Sequence, residues 1–228
     1  MLDETLRHIA AAVTAFTKAG WEYELIVCDN NSTDGTADIA CKAGATVVFE
    51  PINQIARARN RGAAAATGEW LLFVDADSHP DAELLADVVV AIQSGRYVAG
   101  GSTVRLDEGG GTAAKLVTAS WNFISRWRRL LAGSFIFCET AAFKKIGGFS
   151  NELFAAEELE LAQRLKVYAA WNKRELVILH RHPMLTSSRK VRLYTWREHL
   201  RFTFRAVFNH QKTIRDRDAC HAWYDGRR

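Results

Sequence analysis

No stretch of this chain is apolar for long enough to make a transmembrane helix. Its first residues are acidic, and residues 2–16 are amphipathic rather than evenly apolar, so no signal peptide is expected. Cysteine is scarce: Cys28, Cys41, Cys138 and Cys220 stand far apart with no CxxC pair, the pattern of reduced structural thiols in a cytosolic protein. The one glycine-rich run, DEGGG at 107–111, lacks the G-x-G-x-x-G spacing and the strand-to-helix frame of a dinucleotide fingerprint, and reads as a loop. No internal repeat is visible, and low complexity is confined to Ala63–Ala66. No recognisable nucleic-acid-binding module is present, so a nucleic-acid partner is not expected.

Hydrophobic residues make up 48% of the chain and aromatics 11%, ample for a core, which excludes disorder as the default. The net charge of +4 hides an asymmetry: residues 189–228 carry 11 Lys and Arg against 4 Asp and Glu, leaving 19 against 22 for residues 1–188. The expected organisation is one α/β domain over residues 1–188 with a basic extension over 189–228. Within that extension, residues 195–209 read as a helix with Trp196, Leu200 and Phe204 on one face and Arg197, Arg201 and Arg205 on another.

The densest chemistry lies at residues 70–80, WLLFVDADSHP. Five apolar residues, too few and too uniform for an amphipathic helix, read as a buried strand. The run ends in Asp75 and Asp77, and Asp81 reads as the N-cap of a helix over 82–94. Two carboxylates at the end of a core strand are costly to bury without a positive partner. In an open α/β sheet that end is also where ligands bind, so a divalent cation carrying a phosphorylated ligand would answer both points. His79 reads as a turn residue. A second strand-like run, ELIVC at 24–28, ends in Asp29 and the turn-forming NNSTDG.

Helices are expected at 2–19, 36–43, 55–66, 113–129, 140–146 and 157–169, and further strands at 46–49, 97–106, 134–138 and 175–179. Short apolar runs alternating with helices predict a mostly parallel, Rossmann-type sheet flanked by helices, with Asp29 and Asp75/Asp77 at one edge. Glu157, Glu158 and Glu160 open a helix, where acidic side chains meet the positive end of the dipole. His180 and His182 follow the last strand at i and i+2, on one side of an extended segment.

Three stretches together, VCDNNSTDGT (27–36), ARNRGAAAATGEWLLFVDADS (58–78) and IGGFSNELFAAEELELAQRL (146–165), resemble the family 2 glycosyltransferases with the GT-A fold. The resemblance covers roughly residues 2–169. It implies single-sugar, metal-dependent transfer, with inversion, from a nucleotide-diphosphate sugar to an acceptor hydroxyl, a saccharide or a lipid-linked one. Asp29 matches the acid that holds the nucleoside, and Asp75 and Asp77 match the DxD motif. There the second acid binds Mg2+ or Mn2+, and the first contacts the ribose or the metal's water shell. Arg59 and Asn60 match positions near the donor. The general base falls in the pair Glu157-Glu158, with Glu158 the candidate and Glu157 the second choice. His180 or His182 would complete the metal site, as a histidine after the last core strand does in some relatives.

The sequence also departs from the family. The base position carries glutamate where aspartate is usual, the initial VSVIIPxYNE-type strand is missing ahead of the first helix, and the Q-x-x-R-W motif of processive synthases is absent. The first two departures keep a non-catalytic nucleotide-sugar-binding or scaffold protein open as the alternative. Working at the cytoplasmic face of a membrane, the enzyme would rest its basic extension on anionic lipid.

Overall fold

The computed structural model describes residues 1–107, 111–187, 214–218 and 220. The helix expected at 195–209 lies outside the described residues. In chain order the elements are α1 (Leu2–Ala12), α2 (Thr14–Lys18), β1 (Ile26–Asp29), α3 (Thr36–Lys42), β2 (Thr46–Phe49) and α4 (Ile55–Ala65). They continue with β3 (Trp70–Val74), β4 (Ser78–His79), α5 (Ala82–Gln93), β5 (Tyr97–Leu106) and α6 (Thr112–Arg128). The last are β6 (Phe135–Glu139), α7 (Thr140–Lys145), α8 (Glu157–Trp171) and β7 (Glu175–Thr186). The Asp81 carboxylate accepts the Leu84 N–H at 2.7 Å, so α5 starts at its expected cap. The expected helix at 2–19 is divided at Val13 into α1 and α2.

The main sheet has the order β3-β6-β5-β7-β4, and β1 and β2 form a separate parallel pair. A mostly parallel sheet was the expectation, and here the structure corrects it. Within the five strands only β5 and β7 run parallel, while β3–β6, β5–β6 and β4–β7 are antiparallel. The cause lies in α6. A crossover helix would carry the chain back across the sheet, but α6 is tethered at the end it departs from. Its Asn122 amide donates to the Val104 carbonyl and accepts the Val104 N–H, at 2.8 and 2.9 Å. The chain therefore re-enters beside the end of β3, where the Asp75 N–H donates to Ser134 O at 3.3 Å, and β6 runs backwards.

Strand alternation sends side chains to two cores. Leu71, Ile136, Cys138 and Ile178 pack with Ala56, Phe143, Phe149, Leu161 and Leu165 of the α4, α7 and α8 layer. Phe135, Phe137, Leu179 and Met184 pack with Val13, Leu84, Leu85 and Val88 of α1, α2 and α5. Gly100 is required where β5 crosses Phe137, because a Cβ there would lie 2.5 Å from the ring. The cysteines at 28, 41, 138 and 220 form no disulfide with one another. No described helix is long and apolar enough to cross a membrane.

Candidate active site

The site is built where β3 ends. Ser78 N–H donates to Asp75 O at 3.0 Å, which closes a tight turn carrying Asp75, Ala76 and Asp77. The Thr5 hydroxyl donates to Ala76 O at 2.9 Å and the Ser187 N–H to Asp77 O at 3.2 Å, so the turn is pinned by α1 and by the end of β7.

Arg59 of α4 reaches this turn from the opposite layer. Its guanidinium donates to Asp75 Oδ1 at 2.9 Å, Glu157 Oε1 at 2.8 Å and Gly133 O at 2.9 Å, and it lies 5.3 Å over the Phe149 ring. The side chain is only 10% exposed. Burial works against its charge, but the carboxylates of Asp75, Glu157 and Glu158 outweigh burial and hold it protonated well beyond its ordinary range. Gly133 makes room for it: a Cβ at that position would stand 3.0 Å from Nη2.

The acidic pair opens α8, behind Ala156 in the left-handed conformation (φ 59°). Glu157 is buried, its side chain 5% exposed, and is spent on Arg59. Glu158 keeps a partly accessible side chain. Burial, and then the negative charge of Glu157, push its carboxyl from the usual 4.5 up to about 7, against the pull of Arg59. The structure thus joins Asp75, Arg59, Glu157 and Glu158 in one electrostatic cluster.

The remaining expected residues are placed as follows. Asn60 does not point its amide at this cluster. It donates to Phe149 O (2.8 Å) and Asn151 Oδ1 (3.1 Å) and accepts the Phe149 N–H (2.9 Å), clasping the loop before α8. The Asp29 carboxylate accepts the Ser32 N–H at 2.9 Å and shapes the loop after β1. His182 Nδ1 lies 3.0 Å from Asp87 of α5, and His180 lines a groove with Phe123 and Trp127 on the α6 side. Neither histidine joins Asp75 and Asp77 in a group of potential metal ligands among the described residues. The physical reason is an irregularity in β7: partners step from Ser102/Leu179 to Val104/Met184, so 180–183 bulges out of the regular alternation. The described group of three potential ligands is instead Glu4, His8 and His79, within 4.8 Å of one another, with the two imidazoles stacked 4.6 Å apart. His79, expected in a turn, is on β4.

Sequence reasoning passed over Gln54. It is buried, donates to Asn151 O and Leu153 O at 2.9 and 2.8 Å, and its N–H donates to Asn30 Oδ1 at 2.9 Å. Asn30 in turn donates to Glu50 O and Ile52 O. This chain of amides connects the loop after β1 to the loop before α8. A lone glutamine in a polar loop gave no signal of burial. Residues 214 and 215 also meet the loop before α8: the Phe154 N–H donates to Ile214 O at 2.7 Å, and Arg215 pairs with Glu152 at 3.1 Å.

The α/β fold is shared with solved structures. The chain is similar to the mannosyltransferase PcManGT of Pyrobaculum calidifontis, solved in complex with GDP-Man and Mn2+, with a TM-score of 0.70 at 20% identity over 97% of this chain and 64% of that one. It is also similar to the glucosyl-3-phosphoglycerate synthase of Mycobacterium tuberculosis, solved with Mn2+, UDP-Glc and phosphoglyceric acid, with a TM-score of 0.58 at 18% identity over 96% of this chain and 75% of that one. The fold is that of the GT-A glycosyltransferases.

Sequence comparison narrows the class. An uncharacterized glycosyltransferase of Mycobacterium tuberculosis is 38% identical over 93 residues, 41% of this chain and 40% of that protein. The glycosyltransferase AglE of Haloferax volcanii is 28% identical over 173 residues, 71% of this chain and 57% of that protein. The matches therefore span about half the length of these relatives. The family model for glycosyl transferase family 2 matches residues 1–145, and the chain belongs to that family.

Proposed function

We propose that this glycosyltransferase moves a single sugar, a hexose, from a nucleotide-diphosphate donor to an acceptor hydroxyl with inversion, and that Glu158 is its general base. One observation carries the reading: Arg59 consumes Glu157 and one oxygen of Asp75, while the neighbouring Glu158, unspent on Arg59, has its pKa brought to about 7. A base with a pKa near the working pH has the best compromise between being deprotonated and being willing to take a proton. Glu157, second choice from the sequence, is assigned a positioning role, because its carboxylate is already committed to a buried ion pair.

The acceptor hydroxyl gives its proton to Glu158 as its oxygen attacks the anomeric carbon, and the glycosidic bond to the diphosphate breaks on the opposite face. Asp75 and Asp77 fit Mg2+ or Mn2+: they offer hard carboxylate oxygens at a pinned turn, and such a cation commonly needs only one or two of these beside diphosphate and water. When bound, the cation supplies Lewis-acid neutralisation of the charge developing on the leaving diphosphate. Asp29 is assigned to the nucleoside, and Asn60 acts on the donor only through the loop it clasps. Two neighbours of the same fold hold Mn2+ with GDP-Man or UDP-Glc, which supports the donor class.

The test is a thermal-shift panel of UDP and GDP with and without Mn2+, followed by transfer assays with several nucleotide sugars. A true donor analogue at about 100-fold above its Kd stabilises by about 2.7 kcal/mol. Asp77→Asn is expected to abolish the Mn2+-dependent part of the shift, and an unchanged shift would remove the metal assignment. Binding without turnover, indifferent to Glu158→Gln, would replace the enzyme by a nucleotide-sugar-binding scaffold.

A further inference from the structure

α6 is amphipathic in the reverse sense for a helix on a protein surface. The side facing the body carries polar anchors: Asn122 clasps both backbone groups of Val104, and the buried Ser125 hydroxyl donates to Leu130 O at 2.8 Å. The opposite side is apolar and open. Leu116 is 70% exposed, Phe123 72% and Trp127 72%, at helical spacings of seven and four that place them in one narrow stripe. Val117 and Ile124 widen it. Such a stripe exceeds the scattered apolar residues normal for a surface and calls for a partner.

Charge identifies the partner. α6 contains no Asp or Glu, while Lys115, Arg126 and Arg128 lie within it; Arg129, which caps it, is paired with Glu175 at 2.7 Å. A groove of about 440 Å3 between α6 and β7 continues the surface, with Arg126, Trp127 and His180 among its lining. A second copy docking through the same face would bring these cations against one another. Residues 189–228 are as unsuitable a cover, since they carry 11 Lys and Arg against 4 Asp and Glu. An apolar stripe edged by cations fits an anionic bilayer, into which the aromatic side chains descend while the basic ones meet the headgroups.

We propose that α6 is an interfacial helix that seats the protein on anionic lipid, so that the principal membrane contact is this helix rather than the basic extension. The orientation follows from the tether: Asn122 holds α6 to the end of β5, on the sheet edge where the chain turns back toward Ser134 and the Asp75 turn.

The experiment is flotation of the full chain with vesicles of phosphatidylcholine alone and of phosphatidylcholine with about 30% phosphatidylglycerol, at low and high salt. Binding is expected only to the anionic vesicles, and to weaken with salt. The double variant Phe123→Ser with Trp127→Ser is expected to lose about tenfold in partitioning with its melting temperature unchanged, since both side chains are in solvent, and Trp127→Phe to retain most of it. Loss of binding in Arg197→Gln/Arg201→Gln/Arg205→Gln with retention in the α6 double variant would overturn the proposal in favour of the extension. Absence of vesicle binding would overturn it too. In that case a fall in the melting temperature of the double variant would identify a cover from within the chain, and a concentration-dependent dimer abolished by it would identify a second copy.

Discussion

Arg59 carries more of the site's electrostatics than its place in an alanine-rich helix foretells. It is nearly buried, and three acceptors from three separate segments converge on it. Removing one partner of such a pair leaves the other charged and unsolvated, which typically costs 3–5 kcal/mol, roughly. That fixed cation is what permits Glu157 to stay buried while Glu158 beside it is left with a raised pKa. Catalysis is therefore expected to fall as pH drops below about 7, where Glu158 takes up a proton, and Glu158→Gln is expected to lose about 10^2–10^4-fold in kcat with no remaining dependence in that range. The linkage has the opposite sign. With its folded pKa above the unfolded value, Glu158 favours folding at low pH, and this contribution is lost as pH rises from about 4.5 through about 7. Glu158→Gln is thus expected to melt higher than the parent at pH 8, by roughly 2–4 °C for each kcal/mol relieved, with no gain at pH 4. Thermal scans at the two pH values beside a pH–rate profile read both signs.

At the scale of elements, the loop before α8 is held by side chains of α4 and its leading segment rather than by its own turn chemistry. Asn60 satisfies both backbone groups of Phe149, and Gln54 satisfies the carbonyls of Asn151 and Leu153. Asn60→Ala is expected to destabilise the fold by about 1–3 kcal/mol, because it strands partly buried backbone groups of Phe149. It is expected to raise KM for the donor before it lowers kcat, since Arg59 lies over the Phe149 ring. Urea melts and steady-state kinetics on the same preparation check the two effects. The family pattern matched Arg59 and Asn60 to positions near the donor; Arg59 pairs with Asp75 and Glu157, and Asn60 clasps the loop before α8.

For the whole molecule, the division of the sheet has a dynamic consequence. β1 and β2 make an isolated two-stranded pair of half-buried and exposed residues, whereas Phe135–Cys138 of β6 are fully enclosed between β3 and β5. The pair is joined to the rest by α4, by the Asn30–Gln54 amides and by Glu24. Glu24 accepts the N–H groups of Thr67 and Gly68 at 2.7 and 2.9 Å, and the Thr67 bond above all holds its carboxyl below the usual glutamate range. Two-stranded sheets are marginal by themselves. Native-state hydrogen exchange is expected to show the amides of β1 and β2 opening at least about tenfold more readily than those of β6. A nucleoside diphosphate held at Asp29 would narrow the gap, and equal protection in the unliganded protein would show the pair to be as firmly joined as the main sheet.

Local pattern determined the existence and bounds of most elements, because apolar period, caps and breakers act within a few residues. Thr46–Phe49 and Tyr97–Leu106 lie where alternation and glycine stops set them, and Asp81 caps α5. It also marked Asp75 and Asp77, since carboxylates ending an apolar run are conspicuous, whereas Glu157 and Glu158 were singled out by the family resemblance. What a period cannot encode is which strand lies beside which. Antiparallel β6 follows from a tether between Asn122 and Val104, the displacement of His180 and His182 from a bulge, and the burial of Gln54 from partners about a hundred residues away. Those are long-range contacts, and only tertiary packing decided them. Packing likewise separated two adjacent glutamates into a buried anchor for Arg59 and a carboxylate with its pKa near 7.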